Sequence, residues 1–393
     1  MLDHGRLNDA LRSLQGPVDR HITRERVRRY LGALVETPAP STLAGPTRVP
    51  VLRRLLQEDS AFSLNLTFDA DLGRTGNPVI LTGSREPTKP LWYFAHLDTI
   101  SYLIQAAGRD GYPLVPFCVH LMHDGERAAM ALRYDLSANA LVTIAEGWLV
   151  SQEGKASFRP APGSVPLRPG DRVVFRSSYR EDEGSGLFTG SMDNAGGVAA
   201  LAVAAPVLAA AGVEALLAFP DEEEGPVAPG NHMIGRGTSR LMGLLPTPEL
   251  AVVTDVQQGG GDPDADARGG AVNTTRLGAG AVLAEFSSFA RGAVTPPDLY
   301  VLARHVTGLL AALGVRIQES NNAYSSRSDD ASLMLKTPNI LLLGFSGFNR
   351  HFDRGEPRAH LDDVVHLAKA LVYVSVLRPW FQQRRRAFLG MEP

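Results

Sequence analysis

Cysteine is almost missing from this chain. A single thiol, Cys118, stands among 393 residues, so no internal disulfide framework can staple the fold, and a reducing compartment such as the cytoplasm is the expected location. A surplus of either charge is missing too. The 39 Lys and Arg against 42 Asp and Glu leave a formal charge of −3, without the basic stripe that nucleic acid requires. The tail RPWFQQRRRAFLG carries Arg378, Arg384, Arg385 and Arg386 and is expected to be solvated or to touch another copy of the chain. No run reaches the ~18 apolar residues of a membrane helix, and the first thirty residues are charged throughout, with no apolar h-region. Neither a membrane partner nor a secretory signal is therefore expected. No internal repeat is visible either. At roughly 100 to 200 residues per domain, the length points to two or three units.

Residues 24–36 and 48–57 place apolar residues at helical spacing. Between them TPAPSTLAGP, residues 37–46, is loop punctuation that could sit near a site. PVILTG and LWYFAHL then read as strands that end in polar residues. From 101 to 188 the texture changes to short alternating segments divided by Gly, Pro and Asp turns, as in a small β-barrel or sandwich. MDNAGGVAALAVAAPVLAAAG follows, a long Ala-rich helix that Asp193 or Asn194 can cap. Beyond it strands (EALLAFP, LAVVTDV, NILLLGF) alternate with helices. The expected fold is α/β, a mostly parallel sheet flanked by helices, with residues 1–100 and 189–393 forming one catalytic domain around a β-rich insertion at 101–188.

The acids and imidazoles fall where strands give out. His96 and Asp98 follow LWYFA, Glu222, Glu223 and Glu224 follow EALLAFP, Asp255 ends AVVTDV, and Asp193 stands before the Ala-rich helix. His351 and His360 lie beyond NILLLGF. Singly, each has an ordinary explanation: a satisfied loop histidine, a helix cap, a solvated acidic run. Together they suit an open α/β sheet, whose ligands bind beyond the carboxyl ends of its strands. A set of His, Asp, Glu, Asp and His without thiolate is what two divalent cations of the zinc or cobalt kind would take. In that scheme Asp193, short and at a helix N-terminus, bridges two ions, and Glu223 and Asp255 are further ligands. Glu222 is the general base toward the attacking water. Asp98 fixes the tautomer of His96 through its outer nitrogen, because alternate residues of an extended segment share a face.

The motifs AHLD, MDN, DEEEG, VTDV followed by GDP, then SDD and a late histidine stand in an order that resembles peptidase family M42, the glutamyl, deblocking and tetrahedral aminopeptidases, more than its M28 and M20 relatives. The resemblance spans about residues 25 to 380. It implies that His96, Asp193 and Asp255 hold one metal ion and that Asp193, Glu223 and His351 hold the other, with Glu222 as base. It also implies a peptide substrate cut at its N-terminus and a homo-oligomer. Asn194 and Ala195 stand where the family usually carries an acid and an arginine, and the last histidine lacks its usual surroundings. His351 is favoured over His360 because it closely follows a strand and precedes Glu356. An M28- or M20-like deacylase of N-acyl amino acids is the alternative, and a non-catalytic, self-associating binding protein of the same fold is the third.

Overall fold

The computed structural model describes residues 4–61, 65–108, 111–225, 235–261 and 271–391. Four nearly unbroken apolar segments, Leu91–Phe94, Ala215–Ala218, Leu250–Val253 and Ile340–Phe348, build the centre of a twelve-stranded sheet. The first three are buried at every position, as strands covered on both faces must be. Leu91–Phe94 lies between Ala215–Ala218 and Leu250–Val253, and Ile340–Phe348 lies beyond the latter, all in parallel. Antiparallel strands Val79–Thr82 and Leu66–Asp69 extend one margin. At the other, Ile340–Phe348 pairs antiparallel with Ala281–Ala284 and Arg358–His360. The sheet is thus parallel at its centre and mixed at its margins, where Ile317–Glu319 adds in parallel to Ala281–Ala284.

Alternation sends Tyr93 and Ala95 to one face of the sheet and Trp92 and Phe94 to the other. Helix Ala195–Ala210 covers the first face. It is apolar all round and buried along nearly its whole length, the signature of a helix enclosed by protein rather than lying at a surface. It packs between helices Arg24–Val35 and Leu361–Tyr373. A Cβ on its Gly196 would lie 2.4 Å from the Phe345 ring, so only glycine lets helix and sheet come this close. Asn194, not Asp193, caps it: the Asn194 side chain accepts the Gly197 N–H at 3.1 Å and donates to the Thr254 carbonyl at 2.7 Å. The helical stretch from Leu361 to Phe388 is long and apolar enough to cross a membrane, but 67% of its most apolar window is buried within the fold.

Six strands between Ser101 and Phe175 close into a barrel around Tyr102, Leu149, Phe158 and Val173. The insertion expected over 101–188 is shorter than that as a barrel. Arg180–Glu181 and Leu187–Thr189 pair instead with the large sheet through Arg358–His360. Barrel and sheet meet at Phe352, whose ring stacks on Phe175 with centroids 4.2 Å apart.

Candidate active site

Parallel register decides where the polar residues go. Phe94 is level with Ala218 on one side and with Val253 on the other, so the chain beyond each strand emerges at the same edge of the sheet. Further backbone bonds carry the alignment outward, from Thr254 N–H to the Phe94 carbonyl at 2.9 Å and from Leu97 N–H to the Pro220 carbonyl at 2.6 Å. His96, Glu223, Glu224 and Asp255 leave the sheet there. Asp193 comes from the start of the Ala-rich helix and His351 from the loop after Ile340–Phe348. All six are buried.

Asp193 stands at the centre of the group. Its Oδ1 is 3.1 Å from His96 Nε2 and its Oδ2 is 3.5 Å from His351 Nε2. On the first side, Asp255 Oδ2 and Glu223 Oε2 lie 3.7 and 3.8 Å from the same His96 nitrogen. On the second, Glu224 Oε2 is 3.2 Å from His351 Nε2. Three sets of donor atoms thereby converge within 4.8 Å: His96, Asp193 and Asp255; Asp193, Glu224 and His351; His96, Glu223 and Glu224.

The outer nitrogens of both imidazoles are held by backbone carbonyls. His96 Nδ1 is 3.1 Å from the Asp98 carbonyl, and the Asp98 carboxylate, expected to be its partner, is farther at 3.5 Å. That carboxylate accepts instead from Ser41 Oγ at 2.6 Å and from the backbone N–H groups of Glu223 and Glu224 at 3.0 and 3.3 Å. His351 Nδ1 lies 2.7 Å from the carbonyl of Val119 in the barrel. The inserted unit therefore fixes the ring orientation of a site residue on the sheet.

Two of the residues singled out in the sequence stand apart from the cluster, Glu222 against expectation and His360 in keeping with it. Glu222 does not join the cluster. Its backbone turns through a left-handed conformation with φ of 63°, and its carboxylate pairs with Arg240 at 2.8 Å and Arg236 at 3.6 Å, in a separate hollow lined by Thr42, Pro46 and Asp71. The acidic run is thus shifted by one residue, and Glu224, overlooked as a site residue, faces His351. His360 lies apart as well, starting helix Leu361–Tyr373 by accepting the Asp362 N–H at 3.1 Å. Glu356 pairs with Arg180 rather than with the cluster.

Arg350 was also missed. Its guanidinium donates to Asp193 Oδ2 at 3.1 Å, and its position beside His351 was the only sequence cue. Asp329, in the SDD motif, is buried below the site. Its Oδ1 accepts from Thr238 Oγ1 at 2.6 Å, its Oδ2 has no hydrogen-bond partner, and burial pushes its carboxyl up to about 7.

The electrostatics show a surplus of buried negative charge. Burial works against the charge of Asp193, but His351, His96 and Arg350 hold its carboxyl well below the usual carboxylate range. The other three carboxyls go the opposite way. Burial, reinforced by Glu224 and Asp255 and opposed by His96, pushes Glu223 well up. Burial and the charge of Asp193 likewise push up Glu224 and Asp255. Burial disfavours the imidazolium forms of His96 and His351, yet Glu223 and Glu224 respectively hold them well above the ordinary histidine value. Four carboxylates facing two imidazoles and one guanidinium are a donor set short of cations. Glu224 Oε1 is buried with no hydrogen-bond partner, and His351 Nε2, though near Glu224 Oε2, is not aligned to bond it. Lone pairs that converge without pairing are the arrangement of ligands around a common ion, so the residues fit a divalent metal centre.

Neither a protein-family model nor a curated protein sequence matches the chain. Solved structures do. The aminopeptidase APDkam598 from the archaeon Desulfurococcus kamchatkensis superimposes with a TM-score of 0.69 at 17% identity, over 92% of this chain and 98% of the other. The chain has the fold of these aminopeptidases. A TET aminopeptidase from a marine-sediment Thaumarchaeota archaeon gives 0.67 at 14% identity, over 91% and 99% of the two chains. The TET1 peptidase of Pyrococcus horikoshii, which can assemble into a tetrahedron or a large octahedral shell, gives 0.63 at 17% identity, over 89% and 99%. Barrel and sheet together are what is shared, since the likeness runs over nearly the full length of both chains.

Proposed function

We propose that the protein is a metal-dependent exopeptidase that removes N-terminal residues from peptides. The observation that carries this reading is the placement of Asp193, which turns one oxygen to His96 and the other to His351, as a carboxylate shared by two cations does. His96, Asp193 and Asp255 would hold one divalent ion and Asp193, Glu224 and His351 the other, zinc or cobalt by the nitrogen and oxygen character of the donors. Such ions supply Lewis acidity that makes water a nucleophile near neutral pH.

The general base in this reading is Glu223, one residue later than the sequence suggested. Its carboxyl lines the same cavity as Glu224, His351 and Arg350, and its backbone is pinned by Asp98. A carboxylate at that place can take the proton of the attacking water and deliver it to the leaving amine. The fold likeness to aminopeptidases supports the substrate class, and the shell-forming habit of the TET1 peptidase supports self-association. The cytoplasm belongs to the same proposal, in keeping with one buried thiol.

Metal analysis of the purified full chain, combined with hydrolysis of aminoacyl anilides before and after chelation, tests the proposal. The expected result is two ions per chain, activity lost on stripping and restored by zinc or cobalt. Undiminished hydrolysis by metal-stripped protein, or metal-loaded protein that cleaves no aminoacyl bond, would overturn it.

A further inference from the structure

The two halves of the cluster are held by different parts of the molecule. The first belongs to the sheet: His96 follows Leu91–Phe94, its outer nitrogen lies on the Asp98 carbonyl, and Asp255 Oδ1 accepts the Val256 N–H at 2.6 Å. The second depends on the barrel. His351 sits in a tight turn closed by the Phe352 N–H on the Asn349 carbonyl at 2.7 Å, with Asn349 and Phe352 both in left-handed conformations, at φ of 54° and 58°. Asn tolerates that region, but a bulky aromatic holds it only where its surroundings impose it. Here the surroundings are the barrel. Phe352 is 3% exposed, and its ring belongs to the barrel core, stacked on Phe175, which in turn meets the Tyr102 ring edge-on. Around it the Val119 carbonyl receives His351 Nδ1, the Asp353 carbonyl accepts the His123 N–H at 2.8 Å, and the Arg354 carbonyl accepts from Arg127 Nη2 at 2.8 Å.

The barrel side of this joint is itself fixed. Ser151 Oγ gives its one proton to the Met122 carbonyl at 3.0 Å, so toward His120 Nε2, also at 3.0 Å, it can only accept. His120 Nδ1 is then the acceptor for the Tyr102 hydroxyl at 2.9 Å. One neutral imidazole thus pins the loop that carries Val119 between two barrel strands.

Resting on the metal centre proposed above, we infer that barrel docking and occupancy of the second metal position are linked. The docked barrel shapes the His351 half of the site, and occupancy of that half holds the barrel against the sheet. Phe175, acting through Phe352, and His120, acting through Val119, are positioning residues for that half alone. Such a linkage is reciprocal in free energy, so it can be read from either end.

Chelator competition with zinc on the full chain reads one end. Phe175→Ala is expected to weaken binding of the second ion by about tenfold or more and of the first by less than about twofold. Phe175→Leu, which keeps an apolar contact, is expected to recover part of the loss. In a His351→Ala background, where only the sheet half remains, Phe175→Ala is expected to cost no further affinity, because residues that act through one another are not additive. Hydrogen exchange on the wild type reads the other end and needs no barrel variant to fold. Zinc is expected to slow exchange of the His123 N–H by about tenfold or more in wild type and to leave it unchanged in His351→Ala. Equal weakening of both ions in Phe175→Ala, the same loss in the His351→Ala background, or exchange at His123 that zinc leaves alone in wild type or slows equally in His351→Ala overturns the inference. Any of these in a wild type that binds two ions and hydrolyses anilides leaves the hydrolase reading standing. A chain that shows the linkage but cleaves no aminoacyl bond overturns the hydrolase reading alone.

Discussion

Asp98 Oδ1 accepts the backbone N–H of Glu223 at 3.0 Å, which joins the end of one central strand to the loop beyond its neighbour. The same carboxylate also takes the Glu224 N–H and the Ser41 hydroxyl. One buried side chain thus sets the position of both glutamates, while its own backbone carbonyl orients His96. Removing it by Asp98→Ala is expected to weaken metal affinity by about 10- to 100-fold, the usual cost of losing an outer partner of metal ligands. Competition with a chelator measures this. Affinity equal to wild type would mean that the loop holds its shape without Asp98.

Glu222 and Glu223 are neighbours in sequence but face different hollows, and that divergence separates their roles. Glu223→Gln keeps the shape of the side chain but cannot accept the proton, so kcat is expected to fall by about 10² to 10⁴ with metal content unchanged. Glu222→Gln loses only ion pairs to two half-exposed arginines and is expected to stay within about twofold of wild type. Stopped assays alongside metal analysis distinguish the two. The reverse ranking would move the base back to Glu222.

Much of this was legible before any coordinates. Three strands that are apolar to their last residue and then abruptly polar announced both the sheet and the edge where its ligands gather, and His96, Asp193, Glu223, Asp255 and His351 do meet there. TPAPSTLAGP does run past the site, with Ser41 on Asp98. What failed was resolution to a single residue. In DEEEG every side chain is acidic, so the pattern carries no phase, and only the left-handed turn at Glu222 decides which carboxylates point inward. The Val119 carbonyl on His351 was beyond reach for another reason: backbone acceptors have no sequence signature, and this one comes from a barrel 232 residues away along the chain. The sequence does not show where the barrel itself ends, because Arg180–Glu181 and Leu187–Thr189 are too short to show which sheet they join.

Gly344 shows how closely the sheet supports the site. A Cβ there would lie 2.1 Å from the Asp255 backbone carbonyl, a contact that only backbone movement can relieve. Gly344→Ala is expected to destabilise the fold by about 1–3 kcal/mol, as overpacking does, and to displace Asp255 from His96. Thermal unfolding should show the first effect and loss of metal from the His96 side the second. A variant with wild-type stability and full metal content would show that the strand can shift without disturbing the cluster.

Away from the site, Glu181 locks three elements together. Its carboxylate takes Arg28 Nε at 2.7 Å and Arg24 at 2.9 Å, while Arg24 also bonds Asp362 at 2.6 Å. Helix Arg24–Val35 is thereby tied to the short strand Arg180–Glu181 and to helix Leu361–Tyr373. Burial would raise this carboxyl, but Arg28, Arg24 and Tyr179 hold it down to about 2 from an ordinary 4.5. A carboxyl depressed in the folded state binds fewer protons there than in the unfolded chain, so its stabilisation is complete above pH 4.5 and is lost as pH falls toward 2. Glu181→Gln is expected to cost about 1.5–3 kcal/mol at pH 7, the worth of hydrogen bonds to charged groups, with the gap to wild type closing as the pH drops below the unfolded value. Urea unfolding of both proteins from pH 7 to pH 3 traces that convergence. A gap that stays constant across the series would assign the loss to packing around Glu181 rather than to its charge.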